Sequence, residues 1–185
     1  TNFPPSMMKS LALVLALFVS SSSALPRFQS WYQYARDNAK PQLPATPDDD
    51  SVAFFTQRLD HFDRQVQKTW QQRSFQNDTF FDGTGPVFLC VGGEGPAMDP
   101  SVLISSVHCN DMVELAPQVG ALMVALEHRY YGESMPTGRE FSTEKLRWLS
   151  SQQALGDLAV FHSQIVSNFS LSPSNKWVAF GGSYP

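Results

Sequence analysis

The sequence has no basic stripe. Its 13 Lys and Arg stand against 17 Asp and Glu, a net charge of −4, which gives no reason to expect nucleic acid as a partner. It has no HxxE, CxxC or HExxH spacing, so no metal site is expected. The glycine loop at residues 92–95 is not a GxxxxGKS/T phosphate loop, and no cofactor is expected. Nor is there a run long enough to cross a bilayer. Leu11–Val19 is apolar over nine residues, whereas a span takes about 20. These exclusions leave a globular interior, indicated by 42% hydrophobic residues and 14 Phe. The length of 185 residues suits one core rather than two domains.

The chain starts at Thr1, and its first methionines are Met7 and Met8. Residues 1–6 read as upstream translation or a partial N-terminus, and residue 185 as a truncation. Met7–Ala24 has the layout of a secretory signal peptide: Lys9, the apolar run, a small-residue tail, and Ser22 and Ala24 at a cleavage site before Leu25. No stable membrane insertion is expected once it is removed. Leu25–Ser51 carries Pro26, Pro41, Pro44 and Pro47 and an Asp48–Asp50 run, and reads as a linker or propeptide-like segment. Residues 52–185 form the third expected region. Behind a signal peptide, the sequons at Asn77 and Asn168 become glycosylation candidates.

Short alternating segments at Phe55–Asp63 and Trp70–Phe75 suggest antiparallel edge strands. Pro86–Val91, Ala121–Leu126 and Trp177–Phe180 are continuous apolar runs, the pattern of strands buried on both faces of a parallel sheet. Residues 101–117 are weakly helical and expected to stop near Pro117. Ser150 and Gln153 form a capping box for a helix whose buried face is Ala154, Leu158, Phe161 and Ile165. Strands alternating with helices give an α/β fold with a mostly parallel sheet. The three buried strands end in GGEG, EHRYYG and GGSY, and these ends are expected on one rim, where such sheets bind ligands.

A buried strand, two glycines and Ser183 make the pattern of a nucleophile elbow, in which a serine sits on a strained strand-to-helix turn. The plainer reading is a Gly-Gly-Ser loop after a core strand, and the strict G-x-S-x-G pattern has a glycine where this chain has Pro185. In an elbow the oxyanion would take the N–H of Tyr184 and one from the GGEG loop, Gly93 or alternatively Gly92. Glu127, Arg129, Tyr130 and Tyr131 form a polar cluster at a strand end. It reads as a substrate wall or, preferred here, as a Glu–Arg pair holding loops together. Glu94 either anchors a substrate amine or pairs with Arg129. His61, His108, His128 and His162 all precede the serine, whereas the chain order of an α/β-hydrolase triad is serine, acid, histidine. They are expected to bond locally or face solvent, with base and acid beyond residue 185. Asp157 is expected to be solvated or bonded to a loop. Cys90 and Cys109 could pair in an oxidising compartment, but the strand position of Cys90 argues against it and leaves Cys109 to a cysteine elsewhere.

LDHF at 59–62, GGEGP at 92–96, EHRYYGES at 127–134, LSSQQALGDLAVF at 149–161 and FGGSYP at 180–185 resemble the serine peptidase family of lysosomal Pro-X carboxypeptidase, dipeptidyl peptidase II and thymus-specific serine protease, the last branch most of all. The resemblance covers about Phe54–Pro185. It implies an α/β-hydrolase fold with an inserted helical cap, of which this chain holds the N-terminal part. It implies Ser183 as nucleophile of a Ser-Asp-His triad, peptide substrates, and exopeptidase action, Pro-X preferring, in the secretory or endolysosomal pathway. The 185 residues alone are expected to be inactive. The rival readings are a lipase or esterase of the same fold and a non-catalytic hydrolase-fold binding module. Oligomeric state is left open.

Overall fold

The computed structural model describes residues 51–105 and 109–185. The expected signal peptide, all of the expected linker but Ser51, and His108 lie outside the described residues. The elements are β1 (Val52–Arg58), β2 (Thr69–Asn77), β3 (Val87–Val91), α1 (Asn110–Val119), β4 (Leu122–Leu126), α2 (Ser151–Asn168) and β5 (Trp177–Phe180), with short 3-10 turns at Pro100–Leu103 and Lys145–Trp148. The strands form one mixed sheet in the order β1-β2-β4-β3-β5. β1, β2 and β4 pair antiparallel, whereas β4, β3 and β5 are parallel. β1 lies at an edge as expected, but β2 does not. Its Ser74–Asn77 stretch pairs with Leu126–Met123 of β4, and Ser74 and Phe75 are buried there.

Successive side chains of a strand point to opposite faces, and here both faces are covered. Phe88, Cys90, Met123 and Ala125 meet Met112, Val113 and Ala116 of α1. Val87, Leu122, Val124 and Leu126 meet Phe161 and Ile165 of α2. All five residues of β4 are buried, which is why its sequence is an unbroken apolar run. Each buried Leu, Met or Val side chain there contributes about 1.5–3 kcal/mol. β5 departs from the expected full burial. Among the described strands it pairs only with β3, and Val178 is 42% exposed.

Pro117 does not end α1 but lies inside its last turn. It forfeits one bond to the carbonyl four residues back, and the helix closes instead on Gly120, at φ 65°, whose N–H reaches the Ala116 carbonyl. Ser150 caps α2 as predicted, accepting from the Gln153 N–H. The capping box is not completed, because the Gln153 amide turns to the β1–β2 connection and bonds the His61 N–H and Asp60. The buried stripe of α2 is Gln153, Asp157, Phe161 and Ile165, while Ala154 and Leu158 are only half-buried.

Cys90 and Cys109 are joined, correcting the expectation that they would not pair. Cys90 is on the α1 face of β3, and Cys109 is the residue that caps α1, so the two come to a Cα–Cα distance of 5.9 Å, well within disulfide reach. The bond closes the segment that leaves β3. Among the described residues no helix is long and apolar enough to cross a membrane.

Candidate active site

Because β4, β3 and β5 run parallel, the segments that follow them emerge on one edge of the sheet, as expected. A cleft of about 490 Å³ opens there. Its walls are the loop from Gly92 to Ser105, then Glu127, His128 and Tyr131, then Gly182 to Pro185.

Ser183 sits just past β5 in a left-handed backbone conformation, φ 64°. A non-glycine residue holds that conformation only where the surroundings impose it. Its side chain is exposed to the cleft and bonds no other described residue. The turn folds tightly: a Cβ on Gly181 would come within 2.7 Å of Pro185. Pro185 also lies against the loop after β3, since a Cβ on Gly93 would meet its ring at 2.7 and 2.8 Å. The serine turn and the glycine loop are therefore in contact. Beneath them lies the disulfide, whose Cys109 sulfur is 3.7 Å from the Phe180 carbonyl oxygen.

The two glycines of the loop differ. Gly92 donates its N–H to the Leu126 carbonyl at 2.9 Å and extends the β3–β4 pairing; a Cβ there would overlap that same oxygen. Gly93, Glu94, Gly95 and Ala97 donate to no protein atom among the described residues. Glu94 is exposed on the cleft wall and pairs with no described cation, Arg129 included. The Asp99 carboxyl lies below its ordinary value, held down by the Ser101 hydroxyl and N–H it accepts from.

The EHRYYGES segment is a set of latches. Glu127 and Arg129 do not pair with each other, contrary to expectation. The chain leaves the sheet after Leu126 and turns, so the two side chains part. The Glu127 carboxylate accepts from Arg73 at 2.6 and 3.2 Å, from the N–H groups of Met98, Glu133 and Ser134, and from the Ser134 hydroxyl at 2.8 Å. Arg73 also donates to the Met98 carbonyl, so this pair grips both backbone polar groups of Met98. Gly132 is at φ 53°, and a Cβ there would lie 1.8 Å from a Glu127 oxygen; no other residue fits. Arg129 is fully buried and uses all five of its donors. Two make a bidentate pair with Asp157 at 2.6 and 2.7 Å, and the rest reach the Leu59, Trp148 and Arg58 carbonyls. Tyr130, at φ 69°, points its hydroxyl to the Lys145 carbonyl and is no part of the cleft wall. Burial raises its pKa above the ordinary value. Tyr131 lines the cleft in its place.

Asp157 is not solvated. It is 1% exposed and also takes His61 Nε2 at 2.8 Å, a contact spanning 96 residues of sequence rather than a local one. Asp60 works on the same connection. Burial pushes its carboxyl upward, but the Asp63 and Phe62 N–H groups, Gln153 and Trp148 outweigh this and hold it well below the usual carboxylate range. His162 is exposed and stacks on Trp177 at 4.4 Å. His128 is buried, with Nδ1 2.7 Å from the Arg129 carbonyl and Nε2 3.3 Å from the Tyr184 hydroxyl. Burial lowers its pKa, outweighing the pull of the Arg129 carbonyl and of Asp157. It makes no bond to Ser183.

Sequence reasoning missed Arg73, Ser134 and Ser151, whereas of its two readings of Asp157 the loop-bonded one holds, through Arg129 and His61. Only Asp157 left a signal: an acid four residues before Phe161 on the helix stripe that faces the sheet. The sequons lie apart from the cleft. Asn168 is exposed at the end of α2, and Asn77 is half-buried at the end of β2 with its oxygen bonded to the Thr79 N–H. No cluster of His, Cys, Asp and Glu suited to a metal occurs among the described residues.

Ser183 thus stands on a left-handed turn just past a parallel strand and shares the cleft with a glycine loop whose amides are open; a strained turn past a strand is also where a nucleophile elbow carries its serine. Residues 57–185 match the family profile described as Serine carboxypeptidase S28, and the chain belongs to that family. It is 42% identical over 129 residues to the thymus-specific serine protease of Mus musculus, covering 69% of this chain and 24% of that protein. A Caenorhabditis elegans protein assigned to the serine proteases is 43% identical over 130 residues, 70% of this chain and 25% of the relative. The lysosomal Pro-X carboxypeptidase of Homo sapiens is 33% identical over 148 residues, 77% of this chain and 28% of that protein. The chain thus spans about a quarter of the length of these relatives.

Proposed function

We propose that this chain is the nucleophile-bearing part of a serine peptidase with an α/β-hydrolase fold, acting through an acyl-enzyme on Ser183. The observation that carries the reading is Ser183 itself, held at φ 64° beyond a parallel strand with its hydroxyl open to the cleft. Tyr184 N–H and Gly93 N–H are the oxyanion donors in this reading. Neither is bonded to another described residue, whereas the Gly92 N–H is engaged. Loss of one such donor costs about 10²–10³ in rate. The general base in this reading is a histidine supplied by the rest of the protein, because the triad order puts it after the serine; among the described histidines, His61 and His128 are engaged by Asp157 and Tyr184, and His162 lies against Trp177. No cofactor is needed for this chemistry.

The substrates are peptides, as the serine-protease and carboxypeptidase names of the relatives suggest, with exopeptidase action preferring Pro-X as the finer proposal. The route is secretory or endolysosomal. The signal-like segment Met7–Ala24 and the buried disulfide support it, as does the lysosomal name of one relative. Under this reading residues 52–185 belong to the peptidase domain, and Asn77 and Asn168 are glycan sites. The test is a fluorophosphonate probe on the full-length protein. It should label the wild type and not Ser183→Ala; equal labelling of both would place the nucleophile elsewhere.

A further inference from the structure

We propose that His128 is a positioning residue for the serine turn, holding the Tyr184 side chain and through it the direction of the Tyr184 N–H. This rests on the reading of Ser183 and Tyr184 above, and gives a task to a histidine that bonds no reacting atom.

Tyr184 follows a serine in a strained conformation, and its own side chain is 44% exposed. Its ring stands between two cavities of about 490 and 180 Å³ and lines both, so close packing does not fix it. Its polar anchors among the described residues are two: its hydroxyl lies 3.3 Å from His128 Nε2 and 3.1 Å from Ser151 Oγ. The rings of His128 and Tyr184 also meet edge to face, centroids 5.3 Å apart. Backbone strain of the kind seen at Ser183 persists only where neighbours over-determine it. The tyrosine anchor and the contact of Pro185 with Gly93 are the neighbours on hand.

His128 suits the role because it is itself immobile. It is 7% exposed, and its Nδ1 lies 2.7 Å from the carbonyl of Arg129, a residue locked by five donated bonds. A carbonyl can only accept, so Nδ1 carries the proton and Nε2 offers a lone pair. The Tyr184 hydroxyl donates to that lone pair and is left free to accept from Ser151. The buried latch on Asp157 is thereby connected to the exposed turn through one imidazole. A donor displaced by a fraction of an ångström no longer meets the oxyanion, so the cost of losing the anchor falls on the chemical step.

The experiment uses the full-length protein with a chromogenic peptide substrate and a fluorophosphonate probe. Tyr184→Phe removes only the hydroxyl. It should lower kcat by about 10-fold or more with KM within about 2-fold, and slow phosphonylation of Ser183 by a similar factor, less than the 10²–10³ lost when a donor is deleted. His128→Leu should do the same, and the double variant should lose no more than either alone. His128→Gln, which returns an acceptor near the Nε2 position, should recover part of the loss. A Tyr184→Phe protein equal to wild type in kcat and labelling would overturn the inference, as would losses that multiply in the double variant. If His128→Leu does not fold, Tyr184→Phe decides alone. A wild type that the probe does not label would bring down the reading of Ser183 and this inference together. A labelled wild type with an unimpaired Tyr184→Phe brings down only the inference.

Discussion

The loops that leave β3 and β4 begin side by side on neighbouring parallel strands, yet they are built in opposite ways. The loop after β4 is closed on itself: Glu127, Arg129 and Ser134 are buried, and their charges and donors are met by protein. The loop after β3 is open: Glu94 to Ala97 are exposed, and four of its amides point at no described partner. It is held instead by the disulfide at Cys90 and, midway, by the grip of Arg73 and Glu127 on Met98. These amides face an open cleft, where water can satisfy them until a ligand takes its place. The rim therefore divides the work. One loop is locked by protein partners and the other leaves amides open, the donors of the proposed oxyanion site, so damage to each should look different.

Breaking the closed loop should have the largest effect on stability. Asp157→Ala strands the buried Arg129 guanidinium and should cost about 3–5 kcal/mol, the range for one lost partner of a buried pair, read from urea unfolding of the full-length protein. A loss below about 1 kcal/mol would mean that water reaches Arg129 and that the latch is weaker than its geometry. The open loop should be sensitive to its covalent tie. Replacing Cys90 and Cys109 together by Ser should cost about 3 kcal/mol, as expected for a segment of this length. Amide exchange should rise first within residues 92–105; a uniform rise across the sheet would show that the bond supports the core and not the cleft.

Gly93→Ala should reverse the pattern. Its Cβ would come within 2.7 and 2.8 Å of the Pro185 ring, so one of the two must shift; unfolding should change by about 1–3 kcal/mol at most, the range for a local overpacking. Turnover should fall by about 10²-fold as the donor is displaced. Unfolding and turnover changing in step would erase the distinction between the loops. The smallest expected effect is the titration of His128. Burial lowers its pKa, so its ring resonances should titrate below the ordinary value of about 6.5. The sign follows from proton uptake. Below about pH 6.5 the unfolded chain binds a proton that folded His128 refuses. Stability should therefore decline as pH falls from there toward the folded value. A midpoint at or above the ordinary value would mean that the imidazole is not sealed from water.

Much of this was legible in the chain order. The apolar runs Pro86–Val91 and Ala121–Leu126 are short enough to read as strands covered on both faces, and helices between such strands imply a parallel arrangement whose ends share a rim. Gly-Gly-Ser after a short strand marks the turn because glycine tolerates the close approach seen at Gly181. These are local properties, written in periodicity and turn chemistry. The pairing of charges was not legible. Glu127 and Arg129 look like partners because they are two residues apart, yet each finds its partner on a different element, Arg73 on β2 and Asp157 on α2. The same holds for Cys90 and Cys109, for Gln153 drawn away from its cap, and for β2 placed inside the sheet. The sequence by itself determined which segments are strands, which end carries the serine and which residues could be polar at that end. Only the tertiary structure decided which of those polar groups are consumed by one another and which are left facing the cleft. Pairing a buried charge depends on distances between elements far apart in the chain, and periodicity carries no record of them.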